Sequence, residues 1–199
     1  MGAPTTVEEF HYRLPGPTVG LRPGLHRSPQ RGDGLEVRTH LPFGSGTDAR
    51  RLDLRASARD PFERLLVRSY AQRSSIPVYA LLDLSASMGA DVATASAIGS
   101  ASLNMSALAD FVASLALSVH RTGDGFGCFG CAGRPVPGFT QPLTRARGAG
   151  AGIAERLRAY VPTGANAQGL LEAALRLPGK SGLVFVLSDF HLPLALVDA

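Results

Sequence analysis

The sequence has no tryptophan, only two cysteines, and a single lysine among its twenty basic residues. Two cysteines cannot build a disulfide framework, which agrees with a reducing compartment. No uninterrupted apolar run exceeds five residues, whereas a membrane-spanning helix needs about twenty. The N-terminus also lacks the apolar stretch of a signal peptide. We therefore expect a cytoplasmic protein without a membrane segment.

What the chain does contain is apolar material for one core and many loops. Apolar residues make up 45% of the 199 residues, and there are 23 glycines and 14 prolines. This length suits one domain with an appendage. Eight of the glycines and six of the prolines fall within residues 1–46, where they favour turns and short strands over long helices.

The positive charge is confined to the N-terminal part. Residues 1–73 hold twelve arginines and eight carboxylates, while the rest of the chain is neutral overall. Clustered arginines can bind nucleic acid, but interspersed carboxylates dilute any basic stripe. We expect no nucleic-acid partner, and a basic nucleic-acid-binding protein is kept as an alternative.

The patterning divides the chain into an irregular segment (residues 1–75) and an α/β domain (residues 76–199). In the first, alternation predicts short strands at residues 35–38 and 52–54, and apolar spacing predicts a helix within residues 58–72.

In the second part, strands alternate with helices, as in an open α/β sheet. Residues 78–82 and 183–187 are continuous apolar runs typical of strands buried on both faces. The remaining predictions are a loop or weak helix start at 90–102, a helix around 108–119, a strand at 126–129, an irregular return at 135–142, and helices around 153–160 and 170–177.

Both buried strands end in an aspartate, Asp83 and Asp189, and the first is followed by Ser85 and Ser87. In open α/β sheets ligands bind at the carboxyl ends of the strands. Carboxylates and hydroxyls suit Mg²⁺ or Mn²⁺ and not Zn²⁺. Two strand-terminal aspartates favour a metal site, and the alternative is that these side chains cap helices.

Four ordered motifs, and a fifth segment near the N-terminus, resemble known proteins. PVYALLDLSASM (residues 77–88) looks like the first strand and metal loop of von Willebrand factor A domains. GTDARRLDLRASAR (residues 46–59) is similar to the Gly-Asp-Asp-x-Arg-x-Ile-Asp-Trp-x-x-x-Ala-Arg motif of a bacterial family with A-like domains, usually encoded beside MoxR-type AAA+ ATPases. GDGFG (residues 123–127) and LSDF (residues 187–190) fit later strands of that family, and EFHYRLP (residues 9–15) resembles its methanol-oxidation-operon branch.

The resemblance implies a doubly wound, mostly parallel sheet of A-domain type that carries a metal-ion-dependent adhesion site. Asp83, Ser85 and Ser87 would hold Mg²⁺ or Mn²⁺, and Asp189 would act commonly through water. A carboxylate of a client protein would fill an open coordination position. The implied function is recognition without turnover, as an adaptor or co-chaperone with a MoxR-type ATPase in the maturation of another enzyme.

Three departures from the family pattern bear on this expectation. The second-loop threonine falls on Ala165, with Thr163 and Asn166 close by as substitutes, which weakens the expected metal site. Leu54 stands where the family has tryptophan. An A domain also continues through further strands and helices, so we expect a domain truncated at its C-terminus, and the alternative is an unusually short sheet.

A second reading of the same residues is a serine hydrolase. Ser87 lies in a sequence one residue away from a nucleophile elbow, and Asp189 and His191 follow in the order of a triad. The acid and the base are only two residues apart, too close for the acid to orient the base as triads do from separate loops.

Three further signals favour structural roles. The G-x-G-x-x-G of residues 125–130 is followed by a sequence that cannot open a helix, so it predicts a strand and turn. Cys128 and Cys131 form C-x-x-C within a strand, where residues three apart face opposite ways. We expect one core and one turn cysteine. His11, His26, His40 and His120 show no ligand spacing.

Arg50, Asp53 and Arg59 are polar residues at short spacing in the N-terminal segment. They favour a salt-bridged layer that covers the sheet edge. The alternative is a docking surface for a partner ATPase.

Overall fold

The chain forms two compact units in a computed structural model that describes residues 7–14, 16, 23–44, 47–89, 103–178 and 182–191. We call Leu14–Ser75 the ribbon unit, and Met1–Arg13 with Ile76–Ala199 the sheet unit. This differs from the predicted division in one respect: residues 7–13 belong to the sheet unit, because their contacts are with it. The predicted loop at 90–102 lies outside the described residues.

The ribbon unit is built on two antiparallel strands, β1 (Pro23–Pro42) and β2 (Leu66–Ser74), whose pairing is interrupted by several register shifts. The strand expected at 35–38 lies within β1. The helix predicted within residues 58–72 is wrong, because residues 58–65 form turns and loop and residues 66–72 belong to β2, in which Val67 and Ser69 point inward on one face.

The segment between the two strands contains a short 3₁₀ helix (Ala49–Arg51) and helix α1 (Leu54–Ser57). The strand expected at 52–54 is therefore reduced to one bridge, in which Leu52 pairs with Val67. Asp53 ends any extension of this strand, because its carboxylate accepts a hydrogen bond from the Ala56 N–H and caps α1.

The sheet unit contains a four-stranded sheet in the order β5–β4–β3–β6. Strands β3, β4 and β6 are parallel, and β5 is antiparallel to β4. Its elements are β3 (Pro77–Asp83), a 3₁₀ helix (Ala86–Gly89), α2 (Leu103–Thr122), β4 (Gly125–Cys131), β5 (Pro135–Thr144), α3 (Ala149–Ala159), α4 (Gly169–Leu175) and β6 (Leu183–Leu187). The architecture is a mixed α/β fold in which the return at 135–142, expected to be irregular, is a strand.

Helices cover both faces of this sheet. Successive strand residues point alternately to the two faces. Leu81 and Cys131 pack with α4 on one face. Phe185, which pairs with Ala80, faces α2 on the other, where its ring lies 5.8 Å from that of Phe111. Strand β3 is consequently buried on both faces, as its continuous apolar run predicts.

Strand β6 departs from that expectation. Val184 and Val186 are 43% and 42% exposed. They pair with Tyr79 and Leu81 and so share the face of α4, but α4 lies against β3 and β4. An apolar run therefore reports that β6 is a strand without reporting how much of it is covered.

Residues 7–13, here called the strap, run along helix α2. The Glu8 and Phe10 N–H groups donate to the hydroxyls of Ser114 and Ser118, both at 3.0 Å. Two extended residues span about 6.7 Å and four helical residues about 6 Å, so alternate strap residues meet successive turns of the helix. The ring of Phe10 stacks on Phe111, with centroids 5.6 Å apart.

The strap ends on a buried carboxylate. The Tyr12 hydroxyl donates to Asp124 Oδ2 at 2.5 Å, and Thr122 donates to the same oxygen at 2.9 Å. Asp124 Oδ1 accepts from the Ile76 N–H at 2.9 Å. Burial, then the bond to Asp124, raises the pKa of Tyr12 above its ordinary value. One aspartate thus fixes the strap, the end of α2 and the start of β3.

Among the described residues, α2 is the one helix long and apolar enough to cross a membrane by length and composition. Eight of its residues are buried within the sheet unit, and a core helix meets the same criterion.

Candidate functional site

Asp83, the last residue of β3, is fully buried at the carboxyl edge of the sheet. Its Oδ1 accepts a hydrogen bond from the Ser85 N–H at 2.9 Å, and its Oδ2 accepts one from the Ser188 hydroxyl at 2.6 Å. The first bond turns the chain from β3 into the following 3₁₀ helix. The buried carboxylate is therefore satisfied by donors from two different strand ends.

The hydroxyls of the first loop lie together. Ser85 Oγ and Ser87 Oγ are 3.0 Å apart and hydrogen-bonded to each other. Ser85 is buried, and Ser87 is half-buried. The alternating Asp-x-Ser-x-Ser spacing thus places Asp83, Ser85 and Ser87 at one locus.

Asp189 reaches the same locus from the end of β6. Its carboxylate is hydrogen-bonded to Ser87, and it also accepts from the His191 N–H at 3.1 Å. Burial opposes its ionisation, but these bonds and the nearby His191 ring outweigh burial and lower the pKa of Asp189 below its ordinary value. Asp189 is consequently a carboxylate at neutral pH.

The second loop lies beside the first through its backbone. Ser85 and Gly164 form an isolated parallel bridge, and the Ala86 N–H donates to the Gly164 carbonyl at 2.7 Å. A side chain at Gly164 would overlap that of Ala132, so this approach requires glycine. Thr163 and Ala165 flank Gly164 and are exposed.

The two residues considered as substitutes for the missing threonine differ in their engagement. Asn166 Oδ1 accepts from the Gln168 N–H at 3.2 Å, just before α4 begins, and is occupied locally. Thr163 makes no hydrogen bond with its side chain within the part of the chain that the structure describes. Of these two residues, Thr163 is therefore the one whose side chain is available beside the bridge at Gly164.

Ser188 is the site residue that the sequence reasoning missed. Leu82 pairs with Leu187 across β3 and β6, so the next residues, Asp83 and Ser188, stand opposite each other. Aligning the ends of the two apolar runs would have placed this hydroxyl beside the carboxylate.

The hydrolase arrangement does not form in this geometry. In a serine triad the histidine stands between the nucleophile and the acid. Here Asp189 stands between Ser87 and His191, since it is bonded to Ser87 and lies 3.3 Å from His191 Nδ1. The hydroxyl of Ser87 is thus paired with a carboxylate instead of with an imidazole.

The glycine and cysteine motifs have structural roles. Residues 125–130 lie within β4, where a Cβ on Gly127 would come 2.5 Å from the ring of Tyr79. Cys128 and Cys131 are both buried in β4. Burial raises the pKa of Cys128 to about 12 and that of Cys131 to about 11. The expectation of a turn cysteine is wrong, because β4 extends through Cys131.

The side-chain oxygens at the sheet edge suit a hard divalent cation. They are two carboxylates and three hydroxyls, all oxygen, which is the ligand chemistry of Mg²⁺ or Mn²⁺. Among the described residues no group of three or more His, Cys, Asp or Glu side chains could hold a metal, so a site here depends on serine hydroxyls. Each oxygen of Asp83 uses one lone pair in its protein hydrogen bond and keeps another for an ion.

The fold and this edge define a mixed α/β protein with a polar cluster at the carboxyl ends of two neighbouring parallel strands. The chain belongs to the family described as "Protein of unknown function DUF58", whose model matches residues 36–195. That family is associated with MoxR-type operons. No curated protein and no solved structure matches the chain.

Proposed function

We propose that the chain is a metal-dependent protein-binding module with a sheet unit of von Willebrand factor A type. The observation that carries the proposal is the hydrogen-bonded cluster of Asp83, Ser85, Ser87, Ser188 and Asp189 at the edge where parallel α/β sheets bind ligands. The cluster lies at the carboxyl ends of β3 and β6. From β3 the sheet continues to β4 on one side and to β6 on the other.

Each member of the cluster has a distinct task in this proposal. Asp83, Ser85 and Ser87 hold Mg²⁺ or Mn²⁺, with Asp189 as the second carboxylate and Thr163 as the hydroxyl from the second loop. Ser188 orients the Asp83 carboxylate through its 2.6 Å hydrogen bond. The ion, when bound, offers an open position to a carboxylate of a partner protein.

The proposed partners are a MoxR-type AAA+ ATPase and a client protein that supplies the carboxylate. The association of the family with MoxR-type operons supports the first partner. We propose an adaptor or co-chaperone role in the maturation of another enzyme in the cytoplasm. The pairing of Ser87 with Asp189 instead of with a histidine supports binding over hydrolysis.

A pull-down tests this function. The full chain is immobilised and incubated with the purified MoxR-type ATPase of the same organism, with Mg²⁺ or with a chelator. We expect retention only with Mg²⁺ and only by the unaltered chain, and loss in Asp83→Asn, which keeps the shape of the side chain. Glu155→Gln, an exposed change on α3, is the matched control and retains binding.

Equal retention with Mg²⁺ and with chelator would contradict the metal dependence. Failure of the unaltered chain to retain the ATPase in the presence of Mg²⁺ would contradict the proposed partner.

A further inference from the structure

We propose that the segment between β1 and β2 is a second docking surface, which binds an acidic protein surface through Arg50, Arg55 and Arg59 together with the exposed Leu54 and Phe62. We call these five residues the arginine surface. It lies in the ribbon unit and needs no metal ion. The inference therefore goes beyond the proposed function and does not rest on it.

Two of the four acidic residues in this segment, Asp53 and Asp60, are engaged by other side chains. Asp53 accepts from Arg68 at 2.9 Å and from His40 at 3.1 Å, and Asp60 pairs with Arg64 at 3.0 Å. The expected pairing of Asp53 with Arg50 or Arg59 therefore does not form, because Asp53 pairs with Arg68 and His40 instead.

The three arginines of the surface are exposed. Within the described part of the chain, their side chains make no ion pair. The ribbon unit as a whole holds eleven arginines and six carboxylates. Its charge is complementary to an acidic partner, and the unpaired guanidinium groups are the ones available to it.

The same segment also exposes two large apolar side chains. Leu54 is 69% exposed and Phe62 is 72% exposed. The Arg64 guanidinium carbon lies 4.7 Å from the centre of the Phe62 ring and holds it in place. Exposed aromatic and arginine side chains together are typical of the residues that dominate protein interfaces.

The backbone beneath the surface is fixed to β2. The Asp53 N–H donates to the Leu66 carbonyl at 2.8 Å, and the Leu66 N–H donates to the Ser57 hydroxyl at 2.8 Å. Asp53 also caps α1. A surface held in this way loses little conformational entropy on binding.

The exposed carboxylates in the same segment favour a protein over other anionic partners. Asp48 and Glu63 are exposed next to the arginines, and they would face the continuous negative charge of a nucleic acid or an anionic membrane. A protein surface can place its carboxylates opposite arginines and neutral groups opposite Asp48 and Glu63.

The test uses the full chain and a short fluorescent peptide of alternating Glu and Leu, with a Gln-and-Leu peptide as the neutral comparison. Fluorescence anisotropy compares peptide binding by the unaltered chain with binding by the triple variant Arg50→Gln, Arg55→Gln, Arg59→Gln. The control variant Arg134→Gln, Arg147→Gln, Arg156→Gln removes the same charge from exposed positions of the sheet unit. A third variant, Leu54→Ser with Phe62→Ser, tests the apolar part.

We expect the unaltered chain to bind the acidic peptide and not the neutral one. Binding of the acidic peptide should be about tenfold weaker in the triple arginine variant and clearly weaker in the apolar variant. The affinity of the control variant for the acidic peptide should stay within about twofold of that of the unaltered chain. Removing charge outside the arginine surface changes only the screened long-range attraction.

Equal weakening in the control variant would overturn the proposal, as would no binding of the acidic peptide. Tighter binding of phosphatidylserine vesicles or a short oligonucleotide, with the same dependence on Arg50, Arg55 and Arg59, would also overturn it and assign the surface to a membrane or a nucleic acid. Circular dichroism confirms that each variant is folded.

Discussion

The hydroxyl of Ser188 donates a 2.6 Å hydrogen bond to the carboxylate of Asp83, joining the ends of β6 and β3. Asp83 is fully buried, and a buried acceptor that loses its donor costs the protein its desolvation energy. The bond therefore links the stability of the sheet edge to the orientation of the proposed metal ligand.

Ser188→Ala should lower the free energy of unfolding by about 1–3 kcal/mol, because it leaves one oxygen of Asp83 without a donor. It should also weaken Mn²⁺ binding, since Oδ2 of the carboxylate is no longer held by a hydrogen bond. Urea denaturation and calorimetry measure the two effects. Thr140→Ala, exposed on β5, is the control and should change neither. Unaltered stability in Ser188→Ala would contradict the assigned role.

Phe10→Ala should detach the strap from α2. The Phe10 ring packs 5.6 Å from Phe111 and 6.4 Å from Phe185, and removing a half-buried aromatic ring should cost about 1–3 kcal/mol of stability. Hydrogen exchange of α2 should increase. His11→Ala, an exposed neighbour, should have no effect, and a similar loss in both variants would argue against a specific ring contact.

Arg64→Gln should return the pKa of Asp60 toward its ordinary value. Hydrogen bonds from the Arg64 side chain and backbone lower this pKa to about 2. Because the folded pKa is depressed, the stability it contributes is present above the carboxyl pKa of the unfolded chain and is lost as the pH falls toward about 2. An NMR titration of the Asp60 carboxyl measures the shift. Arg59→Gln should leave it in place, and an unchanged pKa in Arg64→Gln would disprove the cause.

The two cysteines should resist thiol reagents in the native protein. Burial raises the pKa of both Cys128 and Cys131, and the thiolate is the reactive form. Alkylation followed by mass spectrometry at pH 8 should be slow in buffer and fast in denaturant. Rapid native modification of either residue would show that β4 opens or that this burial is incomplete.

The elements of the sheet unit could largely be predicted because their signals are local. The apolar runs at 78–82 and 183–187 are strands, and the spacing through Leu108, Val112 and Val119 is a helix. The exposure of Val184 and Val186 could not be predicted, because coverage of a strand depends on where α4 packs and not on the composition of the strand.

The ribbon unit shows the opposite case. Leu66 and Tyr70 match a helical spacing, yet they lie in β2, because pairing with β1 supplies backbone hydrogen bonds that no local pattern reveals. The strap was also missed, since its partners Ser114 and Ser118 are more than a hundred positions away.

The candidate site was largely accessible to sequence reasoning. Asp83, Ser85, Ser87 and Asp189 share one hydrogen-bonded cluster because parallel strands end at a common edge. Ser188 required the register between β3 and β6. The engagement of Asn166 by α4 depended on the detailed path of the second loop.

Calorimetric titration of the full chain with Mn²⁺ and Mg²⁺ at neutral pH tests the central claim most directly. We predict saturable binding of one ion per chain, lost in Asp83→Asn, weakened in Ser188→Ala and retained in Glu155→Gln. Absence of binding by the unaltered chain, or equal binding by Asp83→Asn, would contradict the metal-dependent account.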